Sequence, residues 1–139
     1  MILDTQTSFG ARVARRLEQE QVIWLTTVDA RSTPQPRPVW FIWEKDTFLI
    51  YSQPTAAKVR HIARNPRVAL HFNSDRAGND VIVFLGQARI DRGASPAPRV
   101  RAYVEKYRTA IVDLEMTQKA FAAEYSVAIR VTPETVRGF

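Results

Sequence analysis

The stretch TFLIYSQPTAAKVRHIARNPRVALHF, residues 47–72, decides how the chain is built. Thr47-Phe48-Leu49-Ile50-Tyr51-Ser52 is dominated by aliphatic and aromatic side chains and reads as a strand. Thr55 to Arg64 reads as a helix that stops at Asn65-Pro66, because the residue before a proline is driven out of helical geometry. Val68 to Phe72 then resumes strand character.

Upstream the chain passes from strand to strand with little between. Val22 to Val28 is β-branched and aromatic, Asp29 to Thr33 is a turn, and Pro38 to Trp43 is a second strand broken off by Glu44-Lys45-Asp46. With Thr47–Ser52 these strands are close enough to pair as an antiparallel meander. A helix precedes them: Phe9, Val13 and Leu17 recur every four residues, with Thr7 or Ser8 as cap.

Downstream, Asn73 to Asp80 is a polar loop and Val81 to Asp91 a long strand, where Gly86 marks a bulge or a close backbone approach. Ser95-Pro96 signals a helix start, followed by helical stretches through Tyr103 to Tyr107 and from Thr117 to Ala123. Tyr125 to Val131 is a last strand. Six antiparallel strands with flanking helices predict an α+β, mainly β domain shaped as a small barrel, not an alternating βαβ sheet.

At 139 residues, 45% hydrophobic and 24% charged, the chain is expected to be one domain, 1–139, large enough to bury a core without staples. It has no cysteine, which excludes disulfides, thiol catalysis and thiolate metal sites. His61 and His71 lie ten residues apart, one on a helix and one on a strand, so no metal site is expected. No apolar run is long enough for a membrane span and the first residues lack signal-peptide order, which predicts a cytoplasmic protein.

Neither common nucleotide-binding loop is present. With 20 basic and 14 acidic residues the net charge is +6, which favours anionic partners. The basic residues concentrate at Lys58, Arg60, Arg64 and Arg67, with no acid between them.

That concentration begins at a strand-to-helix junction. Helix N-termini present free N–H groups to anions. Ser52 and Thr55 add hydroxyls, Lys58 a compact charge and Arg60 a forked one. The same residues equally describe a capped helix with a solvated basic face. A second candidate is Gln35-Pro36-Arg37-Pro38-Val39-Trp40-Phe41, whose prolines confine it to an edge with unpaired backbone beside aromatic rings. Such an edge cradles a flat heterocycle; the alternative is packing, with Trp40 and Phe41 on opposite faces. Single-stranded nucleic acid is the rival ligand for a basic barrel, although no aromatic strand carries its own basic row.

These residues resemble the split-barrel flavin-binding family that includes pyridoxamine 5'-phosphate oxidase, and within it the deazaflavin (coenzyme F420)-dependent reductase branch. The likeness rests on Pro38-Val39-Trp40-Phe41, on Lys58-Val59-Arg60-His61-Ile62 followed by Asn65-Pro66-Arg67-Val68, on Gly86-Gln87-Ala88, and on Val131-Thr132-Pro133 with Arg137-Gly138-Phe139. It implies a split β-barrel homodimer with cofactor sites at the subunit interface. It further implies that Lys58 meets the cofactor phosphate with Ser52 and Thr55 assisting, that Gln35, Arg37, Pro38, Val39 and Trp40 lie against the ring system, and that Asn79 adds a wall.

The chain departs from the family where many members carry an arginine just before the lysine: here stand Ala56 and Ala57, leaving Arg60 or Arg37 to compensate. The turn after the first strand holds Ser32 in place of a usual glycine. The activity implied is hydride transfer from reduced F420 to an unsaturated small molecule, with no catalytic side chain required because the cofactor carries the chemistry. The alternatives are an FMN-dependent oxidase or reductase, a non-catalytic flavin or haem carrier, and a nucleic-acid module.

Overall fold

The computed structural model describes residues 2–139. Helix α1 (Ser8–Gln19) leads into β1 (Val22–Val28), β2 (Pro34–Trp40), β3 (Ile42–Glu44) and β4 (Thr47–Ser52). Helix α2 (Ala57–Arg64), β5 (Arg67–His71) and β6 (Ile82–Ile90) follow. A 3₁₀ turn at Ala97–Arg99, helices α3 (Arg101–Asp113) and α4 (Gln118–Glu124), and β7 (Val127–Gly138) complete the chain. All paired strands are antiparallel, in the order β2-β1-β5-β6-β7-β4-β3.

Among the described residues there are seven strands, not six, because the expected strand Pro38–Trp43 belongs to two elements. Pro34, Pro36 and Pro38 alternate along β2 opposite Val28, Thr26 and Trp24 of β1. A proline cannot donate to a ladder, so alternation turns all three away from β1 toward the free edge. The strand therefore starts four residues earlier than its apolar run. It breaks at Phe41, and β3 pairs with β4 instead. β2 and β3 are the two ends of the sheet, yet one residue joins them, so the sheet curls into a barrel with its corner at Phe41.

The barrel interior gathers Val13 and Leu17 from α1 with Ile23, Leu25, Phe41, Phe48, Ile50, Leu70, Phe84 and Ile129. A second cluster lies outside the barrel under α3 and α4, containing Ile42, Leu49, Tyr51, Tyr103, Tyr107, Ile111 and Phe121. β4 serves both: side chains alternate across a strand, so Phe48 and Ile50 face the barrel while Leu49 and Tyr51 face the helices. That double burial explains its unbroken apolar run.

Several boundaries differ from the sequence reading. Thr7, one of the two expected caps, receives the Gly10 N–H at 3.0 Å and starts α1. α2 begins at Ala57 rather than Thr55. Ser95 caps nothing; its carbonyl accepts from the Tyr51 hydroxyl at 2.6 Å. α3 extends to Asp113 because Tyr103, Tyr107 and Ile111, four apart, bury one complete face. β7 runs past Pro133 to Gly138, since Glu134 bulges out of the ladder opposite the Leu85–Gly86 step of β6 and absorbs the register shift there. A Cβ on Gly86 would sit 2.3 Å from the Thr132 carbonyl oxygen, so the expected close approach is present.

Candidate functional site

Two cavities meet at the start of α2. The larger in aromatic content, about 370 Å³, lies between β2, β4 and the helices, lined by Pro38, Val39, Trp40, Tyr51, Ser52, Gln53, Lys58, Tyr103, Phe121 and Tyr125 among others. The second, about 420 Å³, is lined by Thr27, Gln35, Arg37, Pro38, Ala56, Ala57, Lys58 and His61. They share Pro38, Ala56 and Lys58, so one is the continuation of the other.

The polar end is built around an uncapped helix. The N-cap of α2 is Ala56, whose side chain offers no hydrogen bond to the first turn. Lys58 stands in that turn, half-buried, and makes no ion pair or hydrogen bond among the described residues. Burial, and then the nearby Arg37 guanidinium, hold its ammonium below the usual lysine range. The attraction of a bound anion would offset both effects. Gln35 is oriented by Asp29, whose carboxylate accepts from the Gln35 Nε2 at 3.1 Å. The same carboxylate accepts from the Arg31 and Thr33 backbone at 2.8 and 2.9 Å, which keeps it well below the ordinary aspartate value. Ser32 adopts φ of 63° in this turn, the left-handed region where glycine is more usual.

The cationic surface continues past this end. Arg31, Arg60, His61 and Arg64 line an adjoining concavity with Asp29. The His61 Nδ1 is 2.7 Å from the Thr27 hydroxyl, so the imidazole ties α2 to β1.

The apolar end is a stack of rings. Trp40 lies parallel to Tyr107 at 4.7 Å between centroids and to Phe121 at 5.7 Å. Phe121 stacks on Tyr125 at 4.5 Å. Trp40 and Phe41 do face opposite ways, but both are packed within this chain: Phe41 is fully buried in the barrel and Trp40 packs against the outer cluster.

Of the residues singled out in the sequence, Gln35, Arg37, Pro38, Val39, Trp40, Ser52, Ala57 and Lys58 line these two cavities. Arg60 lies next to them; it donates to the Thr55 carbonyl at 3.1 Å. Thr55 is exposed and precedes the helix by two residues, so its hydroxyl does not cap it. Asn79 lines neither cavity; it is exposed in the loop before β6, where its N–H donates to Asp75. Tyr51 and Gln53 lie within the strand-to-helix junction that the sequence singled out but were given no role there, and the sequence reading missed Tyr103, Phe121 and Tyr125. The tyrosine spacing of α3 signals a buried face, but not which strand that face covers.

The sequence profile of the pyridoxamine 5'-phosphate oxidase family matches residues 9–139. The chain belongs to that family. Solved structures agree on the fold. A Listeria innocua protein that carries the pyridoxamine 5'-phosphate oxidase name is 23% identical, with 91% of this chain and 94% of that one covered and a TM-score of 0.69. An F420 reductase is also 23% identical, covering 88% and 94%, with a TM-score of 0.66. An FAD-binding protein from Mesorhizobium loti is 16% identical, covering 91% and 88%, with a TM-score of 0.67. No functionally curated protein matches the chain. As a member of the pyridoxamine 5'-phosphate oxidase family with these neighbours, the protein has a split barrel whose relatives include flavin-type cofactor binders. Among the described residues, no helix is long and apolar enough to cross a membrane.

Proposed function

We propose that the protein is an oxidoreductase that binds reduced coenzyme F420 and delivers hydride to an unsaturated small molecule. The observation that carries this reading is the continuity of a cationic, open helix terminus with a ring-lined cavity through Pro38, Ala56 and Lys58. A phosphate-bearing cofactor with a flat ring needs both in that order. Lys58, Arg37 and the α2 N–H groups would hold the phosphate, with Ser52 near the junction, and the backbone of Pro38 to Trp40 would lie along the ring. The cofactor supplies the hydride; the protein supplies orientation and a water-poor surround.

F420 is favoured over FMN by what lies beyond the phosphate position. Ala56 and Ala57 provide no charge there, while Arg31, Arg60 and Arg64 extend the cationic surface outward, as a polyanionic tail requires. FMN is the second reading, with Arg60 replacing the missing arginine. The relatives named for F420 and FAD support a flavin-type ligand for this site.

We also place this reading in a homodimer. Val22 and Leu114 line the aromatic cavity and are 38% and 49% exposed, so it opens at an apolar rim that a second copy would cover. Fluorescence titrations of the protein with F420 and with FMN, side by side, test the cofactor. Saturable F420 binding with weak FMN binding is expected; preference for FMN moves the assignment to a flavin oxidase or reductase, and binding of neither removes it. Sedimentation equilibrium tests the dimer, and a monomer mass at micromolar concentration rejects it.

A further inference from the structure

Tyr103 is fully buried, and its hydroxyl makes no hydrogen bond among the described residues. Its neighbours in the same cluster do otherwise: Tyr51 donates to the Ser95 carbonyl and Tyr107 to the Gln21 carbonyl, each at 2.6 Å. A buried hydroxyl without a partner costs stability in the empty protein, whereas phenylalanine would fill the same space without that cost. The ring packs edge-on to Tyr51 at 4.9 Å and tilted against Tyr107 at 4.8 Å, and the residue forms part of the wall of the aromatic cavity. The hydroxyl therefore contributes nothing to the fold that the ring does not, and breaches of local packing rules of this kind mark sites of function.

We propose that the Tyr103 hydroxyl is a recognition group for the second reactant, a flat, uncharged molecule carrying a hydrogen-bond acceptor such as a carbonyl oxygen, seated at the end of the aromatic cavity lined by Tyr103, Phe121 and Tyr125, beyond the cofactor ring along Pro38 to Trp40. Calling this ligand the second reactant rests on the cofactor reading above. Its chemistry follows from the lining. Trp40, Tyr103, Phe121 and Tyr125 present ring faces and edges, which suit a planar body. Among the described residues no carboxylate lines the cavity, so a protonated amine finds no counter-charge, and the one cation among them, Lys58, stands at the phosphate end. Burial keeps the Tyr103 phenol protonated well above neutrality, so it is a donor. The oxygen is covered in the empty protein, so the acceptor reaches it by parting the rings around it.

The test uses a matched pair of probes, 2-acetylnaphthalene and 2-isopropylnaphthalene, of similar shape and with and without the acceptor. Each is titrated calorimetrically into the full-length protein without cofactor. The ketone is expected to bind about tenfold more tightly than the hydrocarbon, the worth of one neutral hydrogen bond. Tyr103→Phe is expected to erase that preference, leave hydrocarbon binding unchanged, and keep or raise the melting temperature of the empty protein. A ketone preference that survives Tyr103→Phe overturns the proposal. So does failure of both probes to bind wild type, or a melting temperature several degrees lower in the variant, which would make the hydroxyl structural. Probe binding in a protein that takes up neither F420 nor FMN would reject the cofactor reading while leaving the recognition role of Tyr103 standing.

Discussion

The backbone N–H of Phe41 donates to the Tyr107 hydroxyl at 2.8 Å, across 66 residues of sequence. Phe41 is the corner where β2 ends and β3 begins, so its peptide groups belong to no ladder. Two α3 side chains replace the missing strand. Tyr107 accepts from the N–H and donates its own O–H to the Gln21 carbonyl at 2.6 Å, while the Lys106 ammonium donates to the Phe41 carbonyl at 2.7 Å. The same ammonium lies 3.6 Å from the centroid of the Phe41 ring. The helix that roofs the aromatic cavity thus also closes the barrel.

Tyr107→Phe should destabilise the protein by about 2 kcal/mol, because it strands a buried N–H and a carbonyl at once. Urea denaturation checks this; a loss below about 0.5 kcal/mol would mean that water replaces the phenol without penalty.

Lys106 predicts a pH signature. Burial pushes its ammonium down to about 8, against an ordinary lysine value of about 10.5. Between those values the unfolded chain holds a proton that the folded chain has released, so stability rises as pH climbs from about 8 toward 10. Above 10 the sign reverses for tyrosine: Tyr51 is pushed up to about 12, so the unfolded state loses its proton first. Melting temperatures at pH 7.5 and 9.5 should differ less in Lys106→Met than in wild type, and an equal slope would show that the ammonium is not the source.

Gly86→Ala places a methyl group 2.3 Å from the Thr132 carbonyl oxygen, a contact with backbone that cannot rotate away. The expected cost is about 1–3 kcal/mol, through forced separation of β6 and β7 at the bulge. Thermal unfolding is the readout, and an unchanged transition would mean that the bulge relaxes freely.

Lys58→Met should divide stability from binding. Its ammonium is penalised by burial and by Arg37, so the apolar variant is expected to be as stable as wild type or more so. Affinity for the phosphate-bearing cofactor should fall at least about tenfold, as the loss of a charge-assisted contact requires. A variant that unfolds earlier, or that binds F420 and FMN undiminished, contradicts the role assigned to Lys58.

The strand and helix pattern was legible because each signal is local. β1 and β4 are found at the residues expected for them, Val22–Val28 and Thr47–Ser52, since apolar runs between turn formers need no distant partner to be read. The errors fall where a distant partner decides. Pro34 and Pro36 look like breakers in isolation, yet they are strand residues because β1 pairs with the intervening positions. The last strand was expected to end at Val131, and it continues to Gly138 because pairing with β6 resumes beyond a bulge at Glu134.

The candidate site divides the same way. Lys58, Arg37 and the strand Pro38 to Trp40 were readable because a helix terminus and a proline-rich edge are local chemistry. Tyr103, Phe121 and Tyr125 were not, because an aromatic residue on or beside a helix announces only a buried face. Which strand that face covers depends on the path of the chain between Asp91 and Val127. By itself the sequence determined the elements, the charge around α2 and the family likeness. Tertiary structure alone decided that α3 roofs the β2–β4 face, that its tyrosines answer the barrel corner, and that one of them keeps an unpaired hydroxyl. Packing at that range is set by side chains dozens of residues apart, and no local period encodes it.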